Sequence, residues 1–206
     1  MTEHYFSDRP AAPATSLTSI PVRLGGRDLV LHGADQVFSG RRLDKATAIL
    51  LDEVPSPPAG HVLDLGCGWG PIAIDAALRN PDATVWAVDV NHRALDLASR
   101  NATRAGASNV TVLPADEALT RARDEGVQFA AIWSNPPVRI GKEGLRELLV
   151  TWFALLAPDA EATFVMGKHL GADSMAAWLT DQGFPTRKVA SKKGFRILAA
   201  RCASAG

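Results

Sequence analysis

The chain has 206 residues, of which 47% are apolar and 21% charged, and its formal net charge at pH 7 is zero. These values are typical of a globular protein with a sizeable core, and no apolar run reaches the roughly eighteen residues of a membrane span. The amino terminus lacks a signal-peptide apolar segment, so we expect a cytoplasmic protein. The two cysteines, Cys67 and Cys202, and five scattered histidines predict neither a disulfide framework nor a metal site.

The chain is predicted to consist of an amino-terminal extension and a larger domain. We place the extension at residues 1–55, with a hairpin and a helix packed on the core, and the larger domain at residues 56–206. Within the extension, residues 8–16 are rich in Pro and Ala and predict a flexible lead-in. A proline-rich link over residues 55–60 leads into the larger domain.

Two short segments of the extension alternate apolar and polar side chains. They cover residues 19–24 and 27–32 and flank Gly25-Gly26, which predicts a β-hairpin with a two-residue turn. A helix is predicted over residues 43–53.

A glycine-rich turn follows the first predicted strand of the larger domain. Asp64 lies in that strand, and Gly66, Gly68 and Gly70 follow before a helix that starts at Pro71. Glycines allow the backbone to approach a ligand closely, and Pro suits the first turn of a helix whose amino terminus faces that ligand. The GxGxG spacing differs from the GxGxxG of dinucleotide-binding turns, which disfavours a nicotinamide-dependent oxidoreductase.

Two further acids follow predicted strands. Asp89 ends the strand predicted at residues 84–88, and Asp116 follows the strand predicted at residues 109–113. An acid at the end of the second strand of a doubly wound sheet lies where a ribose hydroxyl pair binds. The alternative for Asp89 is a cap of the helix predicted after it. We expect the ends of these strands to converge on one crevice with the glycine turn.

An apolar strand ends abruptly at Asn135-Pro136-Pro137. Two consecutive prolines remove two backbone donors and fix φ, so the chain forms a rigid turn that neither continues a sheet nor freely starts a helix. Such a turn presents the Asn135 side-chain oxygen and the Pro136 carbonyl as two fixed acceptors, which suit an exocyclic amine. Taken alone, the same residues are also compatible with an ordinary loop.

Strands and helices alternate along the larger domain. Strands are predicted near residues 61, 84, 109, 127, 161, 185 and 194, and helices near residues 71, 92, 116, 143 and 172. This pattern predicts an α/β fold with a Rossmann-like, seven-stranded, mainly parallel sheet and right-handed crossovers. Lys192-Lys193-Gly194 joins the last two strands as a hairpin, so one of them must be antiparallel.

Together these motifs resemble class I S-adenosyl-L-methionine (AdoMet)-dependent methyltransferases that modify exocyclic or amide nitrogens. The rest of the chain resembles the methyltransferase small-domain family, and this likeness covers nearly its whole length. It is carried by His4 to Ser7, Pro10, Val37 to Ser39, Leu43-Asp44 and Lys193 to Leu198.

The resemblance implies AdoMet as cofactor and RNA as substrate. Neither a metal nor a membrane partner is expected, because the histidines are scattered and no long apolar run is present. Cofactor binding is implied for Asp64, Gly66, Gly68, Gly70, Asp89, Asp116 and Asn135. A role in catalysis is implied for Asn135, Pro136 and Pro137, and substrate contact for Phe38, Val138, Arg139 and Lys142.

Two positions depart from the family pattern. Val138 stands where many members have an aromatic side chain that stacks on a flipped base. Ala46 stands where the segment has Gly, although Thr47 is retained. Asp44 and Thr47 are therefore either cofactor-side residues or, for Asp44, a helix-capping acid.

The basic side chains form two local clusters that could meet RNA phosphates. One is Arg139 with Lys142 beside the Asn-Pro-Pro turn, and the other is the acid-free segment 187–201, for which a solvated face is the alternative.

The function that the resemblance favours is methylation of guanine N2 in 16S ribosomal RNA. Adenine N6 of RNA or DNA and the N5 amide of a protein glutamine stay open, because Asn-Pro-Pro serves all three. A non-catalytic AdoMet- or RNA-binding module is the alternative outside enzymes, and the presence of both motifs argues against it.

Overall fold

A computed structural model of the protein describes residues 17–202. The predicted lead-in over residues 8–16 and the family-like residues His4 to Pro10 lie outside this range. The described chain forms the following strands and helices: β1 Leu17–Leu24, β2 Arg27–Ala34, α1 Lys45–Glu53, β3 Gly60–Leu65, α2 Pro71–Arg79, β4 Ala83–Asp89, α3 His92–Ala105, β5 Val110–Pro114, α4 Ala115–Asp124, β6 Phe129–Ser134, α5 Gly141–Phe153, β7 Leu156–Gly167, α6 Ala172–Asp181, β8 Thr186–Lys192 and β9 Phe195–Arg201.

Seven strands form one mixed sheet in the order β5-β4-β3-β6-β7-β9-β8. The neighbours from β5 to β7 pair in parallel, and β9 is antiparallel to both β7 and β8. The predicted α/β class, the mainly parallel sheet and its antiparallel carboxyl-terminal hairpin strand are confirmed.

Two apolar layers bury the sheet. On one face, α1, α2, α3 and the β1–β2 hairpin share a core with the sheet, and on the other face α4, α5 and α6 do so. The second layer is rich in aromatic rings, including Trp86 edge-on to Phe129 at 5.6 Å between centroids. Because strands β3, β4 and β6 are covered on both faces, their sequences are almost continuously apolar.

The hairpin packs on the outside of α2 and α3. A Cβ at Gly25 would lie 2.4 Å from Leu78 Cβ, so the turn needs glycine both for close approach and for its φ of +55°. The Gly25 N–H donates to Asp75 (2.8 Å), and Asn101 accepts from the His32 N–H and donates to the His32 carbonyl. These bonds fix the hairpin to the larger domain. The boundary between the extension and the larger domain at residue 55 stays a prediction.

Strand β7 begins five residues before the predicted position near 161. The register breaks between the pairs Phe129↔Leu156 and Ala131↔Glu161, and Asp159 adopts a φ of +63°. A bulge of this kind leaves residues unpaired and interrupts the apolar–polar alternation by which a strand is recognised in a sequence.

No helix within residues 17–202 is long and apolar enough to cross a bilayer. In the same residues, no group of three His, Cys, Asp or Glu side chains is arranged to hold a metal ion.

Candidate active site

The order of the strands places a crevice between β3 and β6. The chain runs outward from β3 through β4 to β5 and then returns to β6 on the other side of β3. Ligands of doubly wound sheets bind outside the carboxyl ends of the strands at such a reversal. The glycine turn follows β3 and the Asn-Pro-Pro turn follows β6, so the two motifs face each other across this point.

The glycine turn is held open by backbone bonds. Gly66, Gly68 and Gly70 have φ values of +79°, +55° and +91°, which side chains rarely tolerate. The N–H groups of Gly66 and Cys67 both donate to the Val88 carbonyl at the end of β4 (2.8 and 2.9 Å). A Cβ added at Gly68 would meet no atom within 4 Å, so the turn leaves open space where a ligand can approach.

Asp89 shapes this turn directly. Its Oδ2 accepts from the Gly68 N–H and its Oδ1 from the Asn91 N–H, both at 2.9 Å. The helix cap predicted as the alternative role is provided instead by the Asn91 side chain, which accepts from the Arg93 N–H. Each carboxylate oxygen of Asp89 keeps a second lone pair for a ligand hydroxyl.

Asp64 is almost fully buried below the glycine turn, with 1% of its surface exposed. Its Oδ2 accepts from the Ala73 N–H in the first turn of α2, whereas its buried Oδ1 has no hydrogen-bond partner in the described chain. Burial raises the pKa of Asp64 from 3.8 to about 8, and the nearby Asp89 charge adds to this increase. Burial likewise raises the pKa of the adjacent Cys67 thiol, which makes it a poor nucleophile.

The Asn-Pro-Pro turn is fixed against the glycine turn. The buried Ser134 hydroxyl donates to the Leu65 carbonyl (2.7 Å), which joins the ends of β6 and β3. Pro137 Cδ lies 3.7 Å from the position of a Cβ on Gly66. This is an ordinary van der Waals distance, so the two motifs lie close against each other.

The Asn135 amide is oriented by helix α1. Its Nδ2 donates to Asp44 Oδ2 and to Thr47 Oγ1, both at 3.0 Å. The same Asp44 oxygen caps α1 by accepting from the N–H groups of Ala46 (2.8 Å) and Thr47 (3.0 Å). A carboxylate only accepts, so the NH₂ end of the amide must face it and the amide oxygen must face away.

A small cavity lies between the two motifs and α1. Its lining consists of Phe38, Ser39, Asp44, Thr47, Gly66, Cys67, Gly68, Trp69, Pro71, Ile72 and Asn135. Phe38 is exposed at the mouth, whereas Thr47 is buried behind Asn135. Open space at Gly68 and the outward amide oxygen of Asn135 offer a polar ligand both room and a hydrogen-bond acceptor.

A family model described as methyltransferase small domain matches residues 28–199. The chain belongs to this family. AdoMet is the methyl donor that this family and fold indicate, and the prediction of that cofactor is confirmed.

Related proteins agree with this assignment. The Bacillus subtilis (strain 168) protein described as uncharacterized protein YbxB is 33% identical over 202 residues, which cover 98% of this chain and 99% of that protein. Ribosomal RNA small subunit methyltransferase C of Pseudomonas aeruginosa (strain LESB58) is 32% identical over 187 residues, which cover 89% of this chain and 53% of that protein. The chain thus spans about half the length of this ribosomal RNA methyltransferase.

One solved structure shares most of the fold. The T. thermophilus 16S rRNA N2 methyltransferase RsmC, solved in complex with AdoMet and guanosine, superposes with a TM-score of 0.75 at 22% identity. The match covers 94% of this chain and 52% of RsmC. At this identity the likeness shows the class I methyltransferase fold.

The remaining predicted site residues of this family member lie outside the cavity lining. Asp116 is exposed in the first turn of α4, beyond the edge strand β5, where its Oδ1 accepts from the Glu117 N–H. Val138 and Arg139 are exposed in a short 3-10 turn after Pro137, and Lys142 is exposed at the start of α5. Their roles stay predictions.

Asn101 is a site-supporting residue that the sequence reading missed. It is fully buried and its Nδ2 donates to the Trp69 carbonyl in the glycine turn (2.9 Å) as well as to His32 in the hairpin (2.7 Å). The available signal was an Asn within the helix predicted near residue 92, because a buried amide there needs hydrogen-bond partners.

Proposed function

We propose that this protein is an AdoMet-dependent N-methyltransferase that methylates the exocyclic N2 amine of a guanine in 16S ribosomal RNA. The observation that carries the proposal is the fixed Asn135 amide. Asp44 and Thr47 hold its nitrogen at 3.0 Å each, which leaves the oxygen as an acceptor beside the glycine turn.

The glycine turn and the acids around it would hold the cofactor. Asp89 would accept from the ribose hydroxyls with its free lone pairs, and Gly68 provides the space for close approach. Asp64 would hydrogen-bond a polar group of the cofactor through its unpaired Oδ1 and, because it keeps its proton up to about pH 8, can donate there. Asp116, in the first turn of α4, would bind the cofactor from the far side of the same edge. When bound, the cofactor supplies a methyl group that is already activated as part of a sulfonium.

Asn135 and Pro136 would act on the amine. The nitrogen of an exocyclic amine shares its lone pair with the ring, so it is a weak nucleophile. Hydrogen bonds from its N–H groups to Asn135 Oδ1 and the Pro136 carbonyl would favour a tetrahedral nitrogen with a localised lone pair. Alignment of this nitrogen is a proximity effect, and the proton released afterwards can pass to water without a strong base.

RNA is the substrate favoured by the related proteins, whose names include small- and large-subunit ribosomal RNA methyltransferases. A base inside a duplex cannot reach a methyl group in this crevice, so the target must be flipped out or single-stranded. Exposed Phe38 and Val138 would pack on the base, and Arg139 and Lys142 would contact phosphates. Action on ribosomal RNA would place the protein in the cytoplasm.

Nucleoside mass spectrometry tests the substrate. Ribosomal RNA from a strain lacking this gene is compared with RNA from its parent and from a strain complemented with an Asn135→Ala variant. We expect one N2-methylguanosine to be missing in the deletion strain and in the variant strain. Loss of a methylated adenosine, or an unchanged RNA together with an unmethylated protein glutamine, would contradict the guanine proposal.

A further inference from the structure

The ends of strands β6 and β7 carry two turns of the same design. Strand β6 leads into the 3-10 turn Val138–Ile140, and β7 leads into the 3-10 turn Lys168–Leu170. Each turn is followed by a glycine with positive φ, Gly141 at +83° and Gly171 at +84°, and then by a helix. Because β6 and β7 are hydrogen-bonded parallel neighbours, both turns lie at the edge that holds Asn135.

Large apolar side chains are exposed at this edge. Leu170 is 58% exposed, Ile140 49% and Phe38 59%. Single exposed apolar residues are ordinary on a protein surface, but several around one crevice mark a binding site. The Leu170 side chain also packs over Gly167 at the end of β7, where a Cβ added to the glycine would lie 3.1 Å from Leu170 Cδ1.

Most cations of the carboxyl-terminal segment already have acidic partners. Arg187 and Arg201 both pair with Glu161, at 2.9 and 2.8 Å. Arg196 pairs with Asp173 at 3.2 Å and Lys192 pairs with Glu53. Most of the positive charge of segment 187–201 is therefore paired with acids, which argues against the alternative prediction that the whole segment binds phosphates.

The cations beside the two turns differ from these. Arg139, Lys142, Lys168 and Lys193 form no ion pair with any residue in the range 17–202. All four are exposed. They are therefore free to bind an anion, and they lie in or next to the two turns that carry Ile140 and Leu170.

The β8–β9 hairpin brings Lys193 to Lys168. The Lys168 N–H donates to the Gly194 carbonyl (2.8 Å), which attaches the turn after β7 to the tip of the hairpin. Lys193 has a φ of +49°, in a turn position that Asn or Gly normally occupies. A lysine in this position is strained, because residues other than Gly and Asn rarely adopt the left-handed conformation.

We propose that Lys168, Leu170 and Lys193 form a second RNA-contact segment, which holds the single strand next to the flipped base. This inference rests on the proposed function. Ser134 pairs with Phe164, so Lys168 lies three residues beyond the neighbour of Asn135, about 10 Å along the sheet and about 5 Å across. Free cations would bind phosphates and Leu170 would pack on a base or sugar, a combination typical of single-strand binding.

The test compares two double variants with the same loss of charge. Lys168→Ala with Lys193→Ala removes the proposed contacts, whereas Arg27→Ala with Arg123→Ala removes two exposed cations that have no ion pair within residues 17–202 and lie away from the Asn135 edge. Binding of an unmodified 16S rRNA transcript is measured between about 50 and 200 mM salt. A third variant, Leu170→Ser, keeps the charge and removes the apolar contact.

We expect the first variant to bind the transcript about tenfold more weakly, with a slope of log affinity against log salt that is smaller by about 1.4, since each of the two phosphate contacts to a single strand contributes about 0.7. Leu170→Ser should weaken binding with an unchanged slope, and the control and AdoMet affinity should stay at the parental values. Equal slopes and affinities in the parent and the first variant would overturn the inference, while methylation of RNA by the parent would leave the proposed function intact. A parent that methylates a protein but no RNA would overturn both.

Discussion

Asn135 Nδ2 and Asp44 Oδ2 lie 3.0 Å apart although 91 residues separate them in the sequence. Asp44 therefore caps α1, as one of its two interpretations predicted, and also contacts Asn135, while its cofactor-side role stays a prediction. One carboxylate oxygen caps α1 and also sets which end of the Asn135 amide faces the cavity. Asp44 and Thr47, at the start of α1, thus hold the turn that carries Asn135.

The first prediction concerns this orienting contact. Asp44→Ser keeps a good helix cap but is too short to reach Asn135, and Thr47→Val removes the second acceptor. In the double variant we expect turnover to fall at least tenfold, because the amide is free to rotate, while AdoMet affinity changes less than threefold or so. Steady-state kinetics and calorimetry measure the two quantities.

Asp44→Asn is the control for this prediction. Its Oδ1 can occupy the place of Asp44 Oδ2 and accept the same three hydrogen bonds. We expect it to keep most of the parental turnover. Parental turnover in the double variant would show that the contact is only structural.

Asp89 provides the second prediction. Removing its carboxylate eliminates acceptors for the proposed ribose hydroxyls and releases the Gly68 N–H. We expect Asp89→Ala to weaken AdoMet binding by roughly 1.5 to 3 kcal/mol, since bonds to a charged acceptor are strong. Calorimetry with AdoMet checks this value, and an unchanged affinity would remove Asp89 from the cofactor site.

Gly68 provides the third prediction. A methyl group at Gly68 would project into the open space of the glycine turn, and one at Gly126 would also meet no atom within 4 Å. Both glycines have positive φ, so Gly68→Ala and Gly126→Ala should each cost about 1 kcal/mol of stability. We expect only Gly68→Ala to lose AdoMet binding as well; equal affinities in the two variants would place the cofactor elsewhere.

The fourth prediction follows from the raised pKa of Asp64. Native Asp64 keeps its proton up to about pH 8, whereas unfolded aspartate loses it near pH 4. The native state therefore binds more protons between these values, and this residue makes the free energy of unfolding fall as pH rises through that window. In Asp64→Asn, which does not titrate, this decline should be absent. Denaturant unfolding between about pH 5 and pH 8 measures it, and identical pH slopes in parent and variant would contradict the pKa.

Local patterns predicted the two turns that line the candidate site, because both motifs are short and continuous. The glycine turn needs positive φ at Gly66, Gly68 and Gly70, and Pro136-Pro137 must end a strand, so both constraints are visible in neighbouring residues. The alternation of predicted strands with predicted helices along the chain then predicted the sheet, except for the bulged start of β7.

The contacts that complete the site were not predictable in the same way. Asn101 joins the hairpin to the glycine turn across 69 and 32 residues, and Thr47 reaches Asn135 across 88. Such pairs are set by how α1 and α3 pack on the sheet, and no local propensity encodes them. Likewise, the sequence does not predict which cations form ion pairs in the fold and which, like Lys168, form none within residues 17–202.

The most direct test of the account uses small ribosomal subunits from the deletion strain. They are incubated with isotopically labelled AdoMet and either the parent protein or Asn135→Ala, and the labelled nucleosides are identified by mass spectrometry. We expect the parent to label N2-methylguanosine, and Asn135→Ala to do so about a hundredfold more slowly or less while AdoMet affinity changes only a few-fold. Label in another nucleoside or in protein, or parental turnover in Asn135→Ala, would contradict the account.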